Sequence, residues 1–528
     1  MRDLASRVAA TARAHPDRPA LAVDDTTLTY TEMWAAAARL AGALQEVAAE
    51  GPPLVAVLAQ RSRTAYLGIL GALASGRGYV PLHPGFPAVR TASMRERSGA
   101  RAVVVGPEAL PALADLVAAT DGPLAVVLPD VDRADVPAPL ASALAAGGHT
   151  VLDRADVAGC TPLDDPVPVS DDAVAYLLFT SGSTGVPKGV AVSQANVSAY
   201  LDHVVDAYAM GPGDRASQMF DLTFDLSVHD LFATWSSGAA LHVVPAAAVM
   251  APAKLIRAHE LTLWFSVPSV AMVMARLRML KPGAFPSLRA SLFCGEPLPS
   301  ETARRWIEAA PGSVVDNLYG PTEATIAITS YRVTAAVAEG VVPLGRAFPG
   351  QRTAVVGPDL EPVASGEVGE LLLGGTQVTA GYLADPERTA QQFVTPAALD
   401  GRWYRTGDLV HERDSVLHYR GRVDDQVQVN GFRVELQEVD VAVRAAAGVE
   451  LAAAVAWSSD GGPRADAVYA FVADPALDEA AVVAGCRDRL PAYMVPTRVL
   501  PLDDLPLNAN GKIDRRALGA ILREQLGA

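Results

Sequence analysis

Tyr-Leu-Leu-Phe-Thr-Ser-Gly-Ser-Thr-Gly-Val-Pro-Lys-Gly-Val, residues 176–190, decides how the rest of the chain is read. Its first four residues are apolar and aromatic and predict a buried strand; the remainder is a turn of hydroxyls, glycines and one lysine. Gly182, Gly185 and Gly189 permit positive φ and let backbone N–H groups approach an anion, while Ser181, Ser183, Thr184 and Lys188 supply side-chain donors. The run predicts a cradle for a polyphosphate. It is not a Walker A loop: counted from Gly182, Pro187 falls where the second glycine belongs, and Gly189 follows the lysine in place of Ser or Thr. A short Gly/Ser loop alone would read as a polar surface turn, but this run is longer and more specific than that.

Composition sets the frame around this loop. A chain of 528 residues exceeds one hydrophobic core and predicts several domains. Half of the residues are hydrophobic and 19% charged, the balance of an ordered globular protein. No apolar run approaches the roughly 18 residues of a membrane span, and charges interrupt the N-terminal stretch where a signal peptide would be apolar. A cytoplasmic protein without a membrane partner is the expectation. Cys160, Cys294 and Cys486 are too far apart for a zinc spacing and odd in number. A formal net charge of −16 argues against a nucleic-acid partner.

In chain order, an amphipathic helix follows Leu28-Thr29-Tyr30, with Thr31 as its expected N-cap. Short apolar runs at 55–58, 101–105 and 124–128 alternate with helical stretches, the pattern of a wound α/β layer. Phe224-Asp225-Leu226-Ser227 opens a helix on which Asp225 and His229 share a face; taken alone, Asp225 reads as a cap and His229 as a satisfied core histidine. Strands are expected over 261–267 and 288–296, and a β-rich stretch over 367–383. Asn317-Leu318-Tyr319-Gly320-Pro321-Thr322-Glu323 forms a strand-to-helix turn. Trp403 to Leu409, Tyr419 to Val427, Val429 to Glu435 and Leu490 to Pro496 carry charged or Gly-rich turns, and Asn510-Gly511-Lys512 presents a lysine on a tight bend.

Together with 73–84, in which His83 stands where aspartate is usual, these motifs resemble those of the adenylate-forming superfamily: amino-acid adenylation domains of nonribosomal peptide synthetases, acyl-CoA synthetases and firefly luciferase. The resemblance runs from Leu28 to Arg515 and is closest to stand-alone amino-acid adenylation enzymes. It implies an α/β (α+β) fold. A large N-terminal domain, 1–423, would hold wound α/β subdomains and a β-rich subdomain. A small mobile C-terminal α+β domain, 424–528, would carry the catalytic lysine beyond a hinge at Asp424. By the same resemblance Thr180, Ser181, Ser183, Thr184 and Lys188 hold the β- and γ-phosphates, and Glu323 places Mg²⁺. Asn317, Tyr319 and Gly295 frame adenine, and Asp408 and Arg422 hold the ribose. Gly185, Glu296, Gly320, Thr322 and Tyr419 complete the ATP set, and Lys512, with Glu323 and Lys188, is catalytic.

The resemblance implies that a carboxylic acid attacks the α-phosphate of ATP, with Lys512 meeting the charge that develops. Asp225 would pair with an α-ammonium group, which selects amino acids over simple acids. Leu226, His229, Ser266, Leu292, Cys294, Leu318, Ile326 and Ala327 would complete a small, mostly apolar pocket, suited to alanine first and then to glycine, serine or cysteine. Cys294, without a His or Asp partner, reads as a wall residue. The implied acceptor is the phosphopantetheine thiol of a separate carrier protein, with a small activator protein as an optional partner. No Gly-Gly-x-Ser carrier element is found, so a stand-alone enzyme is expected. The alternatives are an acyl- or aryl-CoA synthetase, which would have no use for Asp225, and a nucleotide-binding protein without catalysis.

Overall fold

Leu54–Leu58, Gly78–Leu82 and Ala102–Val105 are short strands in which every residue is buried, as a parallel sheet covered on both faces requires. The computed structural model describes residues 3–47, 52–182, 187–424, 426–458, 465–474, 477–507 and 513–526, and every structural statement concerns these. One seven-stranded sheet runs in the order Thr150–Leu152, Ala125–Val127, Ala102–Val105, Leu54–Leu58, Gly78–Leu82, Val174–Thr180, Lys188–Ser193. It is parallel up to its final, antiparallel pair, which brackets the phosphate loop.

A nine-stranded sheet holds six parallel strands in its centre, including Leu263–Ser266, Ala290–Phe293 and Val314–Tyr319. The loops leaving the C-terminal ends of these three carry Ser266, Cys294 and Gly320, the end at which open parallel sheets bind ligands. A third, antiparallel sheet joins Arg352–Val356, Val368–Gly374, Phe393–Val394, Trp403–Arg413 and Val416–Arg422. Beyond Asp424 the chain builds a small α+β unit. A hairpin, Gln426–Val429 with Phe432–Glu435, precedes a three-stranded sheet with helices Leu436–Ala447, Glu479–Arg487 and Arg515–Leu526. This unit buries its own core around Val434, Val439, Val443 and Met494. The expected fold class, a large wound domain followed by a small one, is the observed one. No helix among the described residues is long and apolar enough to cross a membrane.

Local expectations are corrected in three places. The helix Tyr30–Val47 is capped by Thr29 and not by Thr31: Glu32 N–H donates to Thr29 Oγ1 at 3.2 Å and Thr29 N–H to the Glu32 carboxylate at 2.8 Å. This reciprocal box uses Glu32 at the third position, whereas the Thr31 hydroxyl donates to Pro16 C=O. Gly189 does not take positive φ. Gly189 lies within a strand, where a Cβ would crowd Leu177, Leu383 and Phe179 at 3.2–3.3 Å. The helix after Asp225 is interrupted: Leu226–Val228 passes into a π turn at His229–Ala233 before Thr234–Ser237 resumes. Asp225 and His229 line different spaces, the first the main cavity and the second a small void behind it.

Candidate active site

A cavity of about 190 Å³ lies between the C-terminal ends of the central strands, the third sheet and the hairpin of the small unit. At one end Asp408 receives the Tyr319 hydroxyl at 2.5 Å and Arg422 Nη1 at 2.6 Å. Burial raises the Asp408 pKa, against the pull of Arg422 and Tyr319. Arg422 uses its other nitrogens on Asp424, at 2.7 and 2.9 Å. Asn317 donates through Nδ2 to Pro343 C=O at 2.9 Å and leaves Oδ1 buried without a partner among the described residues. Gly320 packs so closely that a Cβ would lie 2.6 Å from Ala327 Cα, so only glycine fits this turn. Gly295, Glu296 and Tyr419 line the cavity as well, and the Glu296 carboxylate accepts Ser269 N–H at 2.8 Å, at the start of the helix Pro268–Arg276.

At the phosphate end Glu323 is fully buried. Lys188 Nζ lies 3.2 Å from one oxygen, which also accepts the Tyr382 hydroxyl at 2.8 Å, and Arg433 Nη1 lies 2.9 Å from the other. Burial alone would raise the Glu323 pKa, yet Arg433 and Lys188 hold it well below the usual carboxylate range. Burial, and then the Arg433 charge, lower that of Lys188. A buried carboxylate that already attracts two cations suits a divalent ion, and Thr180 Oγ1, buried without a partner among the described residues, suits a phosphate oxygen. Ser181 donates to Arg433 C=O at 3.1 Å. Ser183, Thr184, Gly185 and Lys512 lie outside the described residues.

Asp225, Leu226, Cys294, Leu318 and Thr322 reach the same cavity. Asp225 accepts Ile326 N–H at 3.2 Å and the Thr322 hydroxyl, and burial pushes its pKa up to about 6. His229 and Leu292 instead line a separate void of about 10 Å³ behind the wall. Burial lowers the His229 pKa to about 3, so the ring is neutral, sharing a 2.8 Å hydrogen bond with Tyr200 and packing on Phe265. The Ser266 hydroxyl accepts from Trp264 Nε1 and donates to Val267 C=O. Ala327 is fully buried, and Cys294 has its thiol pKa raised by burial, as a wall residue should. The side-chain end is therefore narrower and more apolar than its residue types suggest.

The small unit closes the cavity through Gly431 and Phe432. Phe432 meets Phe224 edge-on with centroids 5.0 Å apart and stacks on Tyr493 at 4.2 Å. Gly431 has φ +86°, and a Cβ there would come within 2.6 Å of Val267. In Gly431→Ala the left-handed strain of about 1–2 kcal/mol belongs to the hairpin turn itself, whereas the clash with Val267 is specific to this packing and is expected to disfavour it by a further ~1 kcal/mol or more, at least about fivefold in any step that needs it. Steps that do not use this packing should be spared the second effect; equal loss in every step of the reaction would contradict this role. Arg433, Tyr382 and Arg90 escaped the sequence reading, although Arg433 stands inside a quoted motif.

The family profile described as AMP-binding enzyme matches residues 8–383, and that described as AMP-binding enzyme C-terminal domain matches 438–512. The chain is 35% identical to tyrocidine synthase 3 of Brevibacillus parabrevis over 95% of its own length, spanning 7% of that protein. It is 30% identical to a D-alanine–D-alanyl carrier protein ligase of Bacillus velezensis, covering 96% of this chain and 97% of the ligase. The Vibrio cholerae adenylation domain AlmE, solved with glycyl-adenosine-5′-phosphate, superposes with a TM-score of 0.87 at 34% identity, over 99% of this chain and 98% of AlmE.

Proposed function

The chain belongs to the AMP-binding enzyme family, and from that premise we propose that it activates a small amino acid with ATP, as aminoacyl-AMP, and passes it to a carrier-protein thiol. One observation carries the amino-acid reading: the Asp225 carboxylate opens into the same cavity as the Asp408–Arg422 pair, so an ammonium partner and a ribose partner face one space. Support comes also from the activity for which the carrier-protein ligase is named and from the glycyl adenylate in AlmE.

In this reading Asp408 and Arg422 hold the ribose, Asn317 and Tyr319 border adenine, and Thr180, Ser181 and Lys188 face the phosphates. Glu323 would hold magnesium, which when bound offsets phosphate charge. Lys512 approaches the attacked phosphate when the small domain, 424–528, turns about Asp424, and the closed arrangement, with Gly431 against Val267, serves thiol transfer. Leu226, Cys294 and Leu318 limit the side chain, which favours glycine or alanine, with weak discrimination because one methylene is worth about 1–3 kcal/mol.

The test is amino-acid-dependent ATP–pyrophosphate exchange over small, large and charged amino acids, with acetate, benzoate and hexanoate as controls. Exchange with glycine or alanine, falling steeply for Phe and Lys, is the expected result. Exchange confined to the controls would transfer the reading to a CoA synthetase.

A further inference from the structure

The small unit sets two charged side chains at the phosphate end of the site. Glu438, in the first turn of Leu436–Ala447, is buried between two large-domain groups. One of its oxygens takes Arg90 Nη1 at 2.5 Å and the other accepts Gly182 N–H at 3.2 Å. Arg90, on the helix Ala88–Ser98, is 7% exposed, and its Nε is buried without a partner among the described residues. Beside it, Arg433 lies against Glu323 while its own carbonyl accepts the Ser181 hydroxyl. An anion thus rests on a phosphate-loop N–H and a cation on the buried carboxylate. That is the charge order of a polyphosphate with its metal.

We propose that Glu438 and Arg433 are internal substitutes for the ATP phosphates and their metal, and that Arg90 is a phosphate-binding residue which Glu438 masks in the closed arrangement. The proposal rests on the ATP-dependent reading of the site. When the small unit withdraws, Glu438 leaves with its charge, and Arg90 and Gly182 N–H face the vacated position together. Withdrawal also uncovers Arg90, whose guanidinium and the Gly182 N–H then offer the next anion the same charge-assisted hydrogen bonds that Glu438 had taken. ATP and the closed small unit then exclude each other, and the apparent affinity for ATP is reduced by the fraction of molecules that are closed.

An ion pair that merely glued the two units would behave differently, and the sign of the effect separates the cases. ATP and AMP binding to the full chain are measured by calorimetry. Glu438→Gln keeps the size and removes the competing charge, so the ATP Kd should fall about three- to tenfold. Arg90→Met removes the competitor's partner but also the phosphate ligand. Its ATP Kd should rise about tenfold, as loss of a charge-assisted contact does, while the Kd for AMP, which lacks the outer phosphates, stays within about twofold. Arg90→Lys, which keeps a point charge without the fork, should fall between, and supplies the answer if the methionine variant does not fold. ATP Kd falling in both Glu438→Gln and Arg90→Met would overturn the assignment of Arg90. An unchanged ATP Kd in Glu438→Gln, with normal pyrophosphate exchange in the parent, would overturn the substitution and leave the functional reading standing. A parent chain that neither binds ATP nor exchanges would sink both.

Discussion

Lys512→Ala should slow amino-acid-dependent pyrophosphate exchange by about 10²–10³-fold, the usual loss for one donor aimed at transition-state charge. Attack of a carboxylate on the α-phosphate gathers negative charge on phosphoryl oxygens, and a fixed cation that meets it only then accelerates the step. The arginines that line the cavity among the described residues are both engaged with carboxylates: Arg422 with Asp408, Arg433 with Glu323. Lys188 is likewise paired to Glu323. A cation for the attacked phosphate has to be delivered, and Lys512 is the residue proposed to bring it. Thiol transfer from preformed aminoacyl-AMP should stay within about threefold of the parent, because that half-reaction builds charge elsewhere. Near-normal exchange by the variant would remove Lys512 from the mechanism.

Asp225→Ala should lose at least about 30-fold in kcat/KM for the amino acid, since stripping one partner from a buried charge pair costs roughly 2–5 kcal/mol. Its ratio of acetate to glycine activity should rise by the same order. The pH profile gives an independent readout. In the free enzyme the Asp225 carboxyl titrates near 6, raised there by burial. Only the ionised form pairs with an ammonium group, so parent kcat/KM should fall as the pH drops through 6 and hold above it. The variant should lack this acid limb. A variant that keeps both the limb and the parent's preference for amino acids would show that the ammonium is read elsewhere.

The strands were legible because burial on both faces leaves an unbroken apolar run, as in Leu54–Leu58. The site was legible wherever its residues cluster in sequence, as from Asn317 to Glu323. What sequence hid was pairing across distance. Arg90 and Glu438 are 348 residues apart, and neither position advertises the other. Nor could composition say that Trp264 satisfies the Ser266 hydroxyl, or that His229 bonds to Tyr200 and lines a space outside the cavity. Both residues looked like polar pocket walls because a hydroxyl and an imidazole carry no mark of where their hydrogen bonds go. His83 shows the reverse: the unexpected histidine finds a carboxylate at Asp221, 3.1 Å away.

Arg422 touches Asp408 with one nitrogen and Asp424 with two others. A guanidinium is planar and its nitrogens are fixed relative to one another, so the positions of the two carboxylates are coupled. In the proposed reading one side chain thus ties the ribose partner to the residue at which the small unit begins, and Arg422→Met should uncouple nucleotide binding from the position of that unit.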